Sequence, residues 1–385
     1  MSRGVILVRG EIDRFQHNRL FADELVAAFA ARGCNVRVVD YLAESKTLLS
    51  ILREPECRFV LTFNGFGSEI EVPTGRLGTL DSAFEAFNKP LFDLMHDCPA
   101  HETMGHALRA TYAQRHILGT DYTYAGIAQQ LGVRDVTFVP SVTFPVALAD
   151  TGGAERDIDA LLAIGTSPPE PSRERIDRST ARGRLYRAVF DEVIEGAITD
   201  WSFDPIHELR HALRELGVAF DPNLTDHRFL LSVVLDYVKF ARRRALCDAL
   251  AGLPITLVPD RGGSYPKSFR VRETTSAKGL LGLMARSRIV VCPTTHITGY
   301  HERPLCAFTA SAAVVSAPNR VLDAAFTDGT DIAFGRNAGE LRMRVEALLA
   351  DPDVSVRMGR AGHERAMVLY HPARLVSTIL NRLPA

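Results

Sequence analysis

The chain has 385 residues, 46% hydrophobic and 24% charged, with a formal net charge of −1. This is globular composition, and the length suggests two or three domains, each able to bury its own core. The balanced charge argues against a nucleic-acid partner, whose phosphates call for a basic excess. No apolar run approaches the roughly 20 residues of a membrane span.

The start reads "MSRGVILVRGEIDR". Its apolar run, Val5 to Val8, is shorter than a secretory signal requires and looks like a first strand, so a cytoplasmic location is expected. Cys34, Cys57, Cys98, Cys247, Cys292 and Cys306 are scattered, with no C-x-x-C pair. Buried thiols are expected rather than a disulfide framework.

Strand and helix patterns alternate over the first 145 residues. "GVILVRG" precedes an amphipathic stretch from about Phe15 to Arg32. "NVRVVDY" precedes a helix through Leu48 and Leu52. "RFVLTFNGFG", "KPLFDLMHDCP", "RHILGTD" and "DVTFVPSV" supply four further strands. Strands separated by helical patterns imply a parallel sheet covered on both faces. "ALADTGGAERD" lacks periodicity and carries Gly-Gly, as a linker would.

A second series begins at "IDALLAIGTSPP". A helical region follows over about 172–250, where Phe229, Leu230, Val233, Val234 and Tyr237 have helical spacing. Strands return at "PITLVPD", "FRV", "RIVVCPT" and "AAVVSAP", and the tail is helical, with Pro352 and Pro372 each opening a helix. The expected fold is α/β: two Rossmann-like, doubly wound parallel-sheet domains in tandem, with a helical insertion in the second. The expected domains are 1–147 and 157–370, with a terminal helix over 371–385.

Ligands of open parallel sheets bind beyond the carboxyl ends of strands, so the turns there matter most. They read "FNGFG", "HDCP", "GTD", "GTSPP", "PDRGG" and "CPTTHITGYHER". No G-x-G-x-x-G follows the first strand and no G-x-x-x-x-G-K-[ST] occurs, which disfavours ordinary dinucleotide binding and a P-loop.

The C-terminal third carries a resemblance. "HERPLCAFTASAAVVSAPN" and then "AFTDGTDIAFGRNAGELRMRVEALLADPDVSVRMGRAGHERAMVLYHPARL" look like the end of a GT-B glycosyltransferase. They are most similar to the spore-maturation CgeB-like branch. The matching features are Arg303, Phe326 to Ile332, Glu340 to Pro352, and His371 to Arg374. The likeness covers about residues 288–374. Cys306 stands where the family has a ribose-binding glutamate, and Ser311 where it has a glycine. A thiol is a weak hydrogen-bonding group, so either Glu302 substitutes or the donor is held differently.

The resemblance implies sugar transfer from a nucleotide-sugar donor to an unidentified acceptor: a glycan, a protein or a small molecule. The N-terminal domain would take the acceptor and the C-terminal domain the donor. The alternatives are a non-hydrolysing sugar-nucleotide epimerase and a non-catalytic nucleotide- or glycan-binding protein. No cofactor and no metal are expected, and a homodimer is compatible.

The expected donor residues are Gly165, Thr166 and Ser167 in "GTSPP", Arg261 and Lys267 in "PDRGGSYPK", and Thr294, Thr295, His296, Tyr300, His301, Glu302 and Arg303 in "TTHITGYHER". Backbone N–H groups and cations there suit a diphosphate. Asn64, Gly65 and Gly67 of "FNGFG" are acceptor-side candidates, or an ordinary turn.

"HDCPAHETMGH" packs three histidines into residues 96–106. His101 and His106 are not at i, i+4 spacing; five helical steps put them roughly 140° apart, which disfavours a shared metal. His96 and Asp97 close a strand and are the candidate catalytic pair, as proton acceptor for a hydroxyl. The competing reading makes Asp97 or His101 a helix cap. "FARRR", residues 240–244, reads as a solvated basic helix face, with an anionic acceptor or a membrane surface as the lesser alternative.

Overall fold

A computed structural model describes residues 3–8, 17–73, 80–104, 114–149, 155–259, 263–273, 276–293 and 297–383. The chain divides into two compact units: Met1–Asp150 with Thr275–Lys278 and Tyr370–Ala385, and Thr151–Thr274 with Gly279–Leu369.

The first unit contains β1 (Arg3–Val8), α1 (His17–Ala30), β2 (Asn35–Asp40), α2 (Ser45–Arg53), β3 (Cys57–Phe63), β4 (Glu71–Pro73), β5 (Leu80–Ser82), α3 (Ala83–Ala86), β6 (Leu91–Met95), β7 (Arg115–Gly119), α4 (Tyr122–Gln130), β8 (Asp135–Phe138) and α5 (Pro145–Ala149). Its main sheet runs β2-β1-β3-β6-β7-β8, and every pairing in it is parallel. The central strand β6 is buried throughout, whereas the edge strand β2 is buried only at Val36 and Val39. That contrast matches the mostly apolar run "LFDLM" beside the mixed "NVRVVD". The small antiparallel β4–β5 pair was not legible beforehand.

The second unit contains β9 (Ile158–Ile164), α6 (Glu170–Glu174), α7 (Ala181–Thr199), α8 (Pro205–Glu215), α9 (Thr225–Ala249), β10 (Ile255–Pro259), β11 (Arg270–Val271), α10 (Ala277–Ala285), β12 (Ser287–Cys292), α11 (Glu302–Thr309), β13 (Ala313–Ser316), α12 (Arg320–Ala325), β14 (Ala333–Phe334), α13 (Ala338–Ala350) and α14 (Pro352–Leu369). Here α10 begins at the division between the units. The sheet runs β11-β10-β9-β12-β13-β14, all parallel. Ala160, Leu162, Ile255, Leu257, Ile289, Val291 and Val315 from its strands join Leu246 of α9 and Trp201 of the α7–α8 turn in one buried core.

Each sheet reverses its winding once. The reversal lies between β1 and β3 in the first unit and between β9 and β12 in the second. Crevices open at the carboxyl ends of strands beside such a reversal.

Two local readings need correction. The supposed linker begins inside α5, because Glu24 of α1 receives the Val146 and Ala147 N–H groups at 3.1 and 2.7 Å. That cap comes from far away in sequence, so no local pattern announces it. The chain then returns to the first unit through α15 (Pro372–Leu380), which packs on α1, with Arg32 donating to Ser377 at 2.9 Å.

"FARRR" is not a solvated face either. Arg242 is 1% exposed and Arg243 8% exposed. Arg242 donates to the Ala197 and Phe203 carbonyls at 2.7 and 3.2 Å and lies over Trp201. Its burial brings its pKa down to about 10. Of the three arginines, Arg244 fits the solvated reading, pairing with Glu170 at 2.9 Å in the open.

Candidate active site

In the first unit, β3 ends at the winding reversal and passes into Asn64, Gly65 and Gly67. All three adopt left-handed backbone, with φ of 50°, 72° and 79°. Asparagine and glycine are the residues that tolerate this region best. The turn closes with Phe66 N–H to Phe63 O and Ser68 N–H to Gly65 O, both 3.0 Å. Gly67 faces inward: a Cβ there would lie 3.0 Å from Leu7 Cδ1.

The neighbouring strand β6 ends at His96 and Asp97. Asn64 binds both. Its Oδ1 accepts the N–H groups of His96 and Asp97 at 2.8 and 3.1 Å. Its Nδ2 donates to Asp97 Oδ2 at 2.8 Å. The His96 ring packs against Phe21 at 4.9 Å and stacks parallel to Phe63. Its Nδ1 is 3.4 Å from Thr120 Oγ1. Asp97 is the more exposed of the two.

Beneath the turn lies a buried ion pair. Arg115 donates to Asp93 Oδ2 at 2.6 Å, with side chains 1% and 0% exposed. Asp93 Oδ1 accepts the Gly65 N–H at 2.8 Å.

His101 has a structural task. Its Nδ1 is 2.8 Å from Thr103 Oγ1 and accepts the Thr103 N–H at 3.3 Å, capping the short 3₁₀ turn Glu102–Met104. His106 lies outside the described residues. Among those described, no group of three His, Cys, Asp or Glu side chains is placed to hold a metal.

Two D-x-D triplets stand away from these strand ends. Asp157 and Asp159 flank the start of β9 and pair with Arg286 and Arg288. Asp351 accepts the Val354 N–H at 3.0 Å at the start of α14.

In the second unit, β9 ends in Gly165, Thr166 and Ser167. Gly165 and Thr166 are buried and Ser167 is partly exposed. A Cβ on Gly263 would fall 2.3 Å from Thr166 Oγ1 and 2.4 Å from Thr166 O. The turns after β9 and β10 thus touch through a glycine. Lys267 is exposed on the following loop. Arg261, Thr294, Thr295 and His296 lie outside the described residues.

Past β12 the chain places Tyr300, 8% exposed, and then His301, Glu302 and Arg303 at the start of α11. The three charged side chains are 13%, 27% and 19% exposed. His301 is the N-cap: its Nδ1 accepts the Arg303 N–H at 3.2 Å. The same Nδ1 is 2.9 Å from Glu302 Oε2, a contact that requires a proton on Nδ1. The two are alternatives. Burial lowers the His301 pKa; Arg303 and Arg243 add to the effect, and Glu302 opposes it. The neutral ring is therefore favoured, and with its proton on Nε2 it keeps the cap. Glu302 Oε1 is 4.0 Å from Arg303 Nε.

The family model described as "Glycosyl transferase-like" matches residues 242–381, which include β12 and α11. No curated protein matches the chain. Sucrose-phosphate synthase from Thermosynechococcus elongatus is similar in structure, with TM-score 0.54 and 13% identity, over 99% of each chain. The glycosyltransferase AviGT4 of avilamycin A biosynthesis is similar at TM-score 0.52 and 11% identity, over 99% of this chain and 96% of that one.

The fold is GT-B. Both Rossmann-like units are present, each with its own winding reversal, and the helical region of the second comprises α6, α7, α8 and α9. In this GT-B chain Cys306 is 5% exposed, one helical turn beyond Glu302 on α11. Ser311 takes left-handed backbone, φ 54°, a region that glycine enters more readily.

Three contributions were not foreseen. Asn319 caps α12 through its Oδ1 and donates from Nδ2 to Gly299 O at 2.6 Å, fixing the loop before Tyr300. The dipeptide "PN" ahead of an apolar run was its only signal. Arg243 lends its charge to His301 from α9, which spacing within α9 does not reveal. In the first unit, Tyr122 at the start of α4 is 58% exposed and stacks flat on Phe138 at the end of β8. Among the described residues, no helix is long and apolar enough to cross a membrane.

Proposed function

We propose that this protein transfers a sugar from a nucleotide-sugar donor to an acceptor hydroxyl, in the manner of the CgeB-like branch. The observation that carries this reading is the cluster His301, Glu302 and Arg303 at the head of α11. It lies beside the winding reversal of the second sheet and inside the glycosyl transferase-like segment.

The donor side comprises Gly165, Thr166, Ser167, Lys267 and Tyr300 with that cluster; Arg261, Thr294, Thr295 and His296 are assigned to it from the sequence alone. Arg303, the N-terminal dipole of α11 and a His301 ring protonated on Nε2 offer positive charge and dipole to a diphosphate. The acceptor side comprises Asn64, Gly65, Gly67, His96 and Asp97, with Tyr122 as a flanking wall.

Asp97 is the proton acceptor of choice, because its carboxylate is exposed while the His96 ring is wedged between aromatic side chains. The acceptor hydroxyl gives its proton to Asp97, and its oxygen bonds to the anomeric carbon. The bond from that carbon to the diphosphate breaks, with the electron pair leaving on the phosphate oxygen. A single displacement of this kind inverts the anomeric centre. Charge stabilisation from the chain's own groups makes metal unnecessary, so turnover should survive EDTA.

The test is product analysis over UDP-, GDP-, ADP- and TDP-sugars with water, monosaccharides and small hydroxylated acceptors. Release of nucleoside diphosphate with sugar transfer supports the reading; an isomerised donor refutes it in favour of an epimerase. Cys306 in the ribose-contact position favours a second reading, binding without turnover. Calorimetric binding of a nucleoside diphosphate with no turnover over the whole panel would establish that one instead.

A further inference from the structure

Asn64 joins the two strand ends that carry the acceptor-side candidates. It is 8% exposed, and both ends of its amide are engaged on the exit of β6. Oδ1 takes two consecutive backbone N–H groups, those of His96 and Asp97, and so fixes where Asp97 leaves the sheet. Nδ2 donates to Asp97 Oδ2 at 2.8 Å, a bond that favours an ionised carboxylate. The backbone is equally constrained. Asn64 N–H donates to Leu94 O at 3.0 Å, and the next N–H, of Gly65, ends on the buried Asp93–Arg115 pair.

A surface turn has no need of a side chain with this set of partners. Serine would cap N–H groups without donating to Asp97 at the same reach, and glycine would satisfy the positive φ but make none of these bonds. An asparagine does all three.

We propose that Asn64 is a positioning residue: it holds Asp97 ionised and aimed from the sheet edge before an acceptor arrives, with the Asp93–Arg115 pair anchoring the turn. This rests on the reading of Asp97 as proton acceptor. It removes Asn64 from the residues expected to touch the acceptor.

The charged and titratable groups around Asp97 on the described elements are His96 beside it, Asp93 and Arg115 under the turn, and Cys98 and Asp121 behind it. Asp121 and Asp97 both bear on the Cys98 thiol, which burial pushes up to about 12. Asp121 is committed to the N-cap of α4, accepting from Thr123 and Tyr124.

Asn64→Asp keeps the shape, tolerates the left-handed backbone and preserves the two accepted N–H bonds. It replaces the Nδ2 donor with a second carboxylate facing Asp97, so the pair should share a proton. The Asp97 carboxyl is followed by carbon-13 NMR on aspartate-labelled full-length protein, with Asp97→Asn identifying the signal. The upper midpoint in Asn64→Asp should lie about one pH unit or more above the wild-type Asp97 midpoint. A midpoint within about 0.3 unit of wild type would overturn the proposal.

Turnover is read with the donor that the nucleotide-sugar panel identifies. Asn64→Asp should lower kcat by about 10-fold or more with donor KM within about twofold. In an Asp97→Asn background the same change should lower kcat no further, because both act through one carboxylate. A structural role would instead give additive losses, which would overturn the proposal. Full turnover in Asp97→Asn would sink the reading of Asp97 as proton acceptor. An unshifted midpoint beside an inactive Asp97→Asn would sink the role of Asn64 alone.

Discussion

Arg156 Nη2 donates to the carbonyl of Ser311 at 2.7 Å, at a residue whose φ is 54°. The same guanidinium reaches Ala310 O at 3.1 Å and, through Nη1, Ser287 O at 2.8 Å. One partly buried cation therefore satisfies the carbonyls that close α11 and open β12. Arg156→Ala should destabilise the protein by about 2 kcal/mol or more, since carbonyls are left without their charged donor. Ser311→Gly should stabilise it by about 0.5–1 kcal/mol, because glycine enters left-handed backbone without a Cβ clash. Urea unfolding of both variants checks the opposite signs.

Gly359 and Gly362 let α14 lie against its neighbours. A Cβ on Gly359 would come 2.3 Å from Ser311 O, and one on Gly362 would come 2.6 Å from Asp331 O. Backbone cannot step aside as a side chain can. Each Gly→Ala change should cost about 1–3 kcal/mol despite alanine's better helix propensity. Melting curves showing either variant more stable than wild type would refute this packing account.

The His301 pKa is depressed, burial being the first cause. As pH falls below the ordinary histidine value, the unfolded chain takes up a proton that the folded one refuses. Stability is thus fully present above that value and lost as pH falls toward the depressed one. His301→Asn keeps an N-cap while removing the titration. Its unfolding free energy should vary less than wild type's between pH 7 and pH 5, as denaturant titrations at both pH values would reveal.

Arg303 and Asp97 should fail differently. Arg303→Ala should raise donor KM and lower kcat together, because diphosphate charge is present before and during bond cleavage. Asp97→Asn should lower kcat by roughly 10² to 10⁴ with donor affinity little changed. Initial-rate kinetics with varied donor, with equal effects from the two variants as the contrary result, would test the division of labour.

Tyr122 offers an exposed ring face above Phe138. Tyr122→Ala should raise acceptor KM several-fold and leave donor KM unchanged. Tyr122→Phe should behave as wild type if the ring face rather than the hydroxyl is used. Acceptor saturation curves decide between them.

The sequence by itself determined the alternation of strand and helix, and with it the two parallel sheets. Buried strands such as β6 and β12 need apolar residues on both faces, so they write continuous runs into the chain. Pro352 and Pro372 open helices because proline suits a first turn and no other helical position. The turns after strands stood out because left-handed backbone selects asparagine and glycine locally, as at Asn64 and Gly65. Tertiary structure decided the rest, because those relations join residues that no local spacing connects. Strand order put Asn64 at a winding reversal and set its amide on Asp97, 33 residues away. Glu24 became the cap of α5 across 123 residues, and Arg242 went inward because carbonyls and Trp201 met it there. A charged or polar side chain has the same letter whether water or protein satisfies it, and only the folded chain supplies the partner.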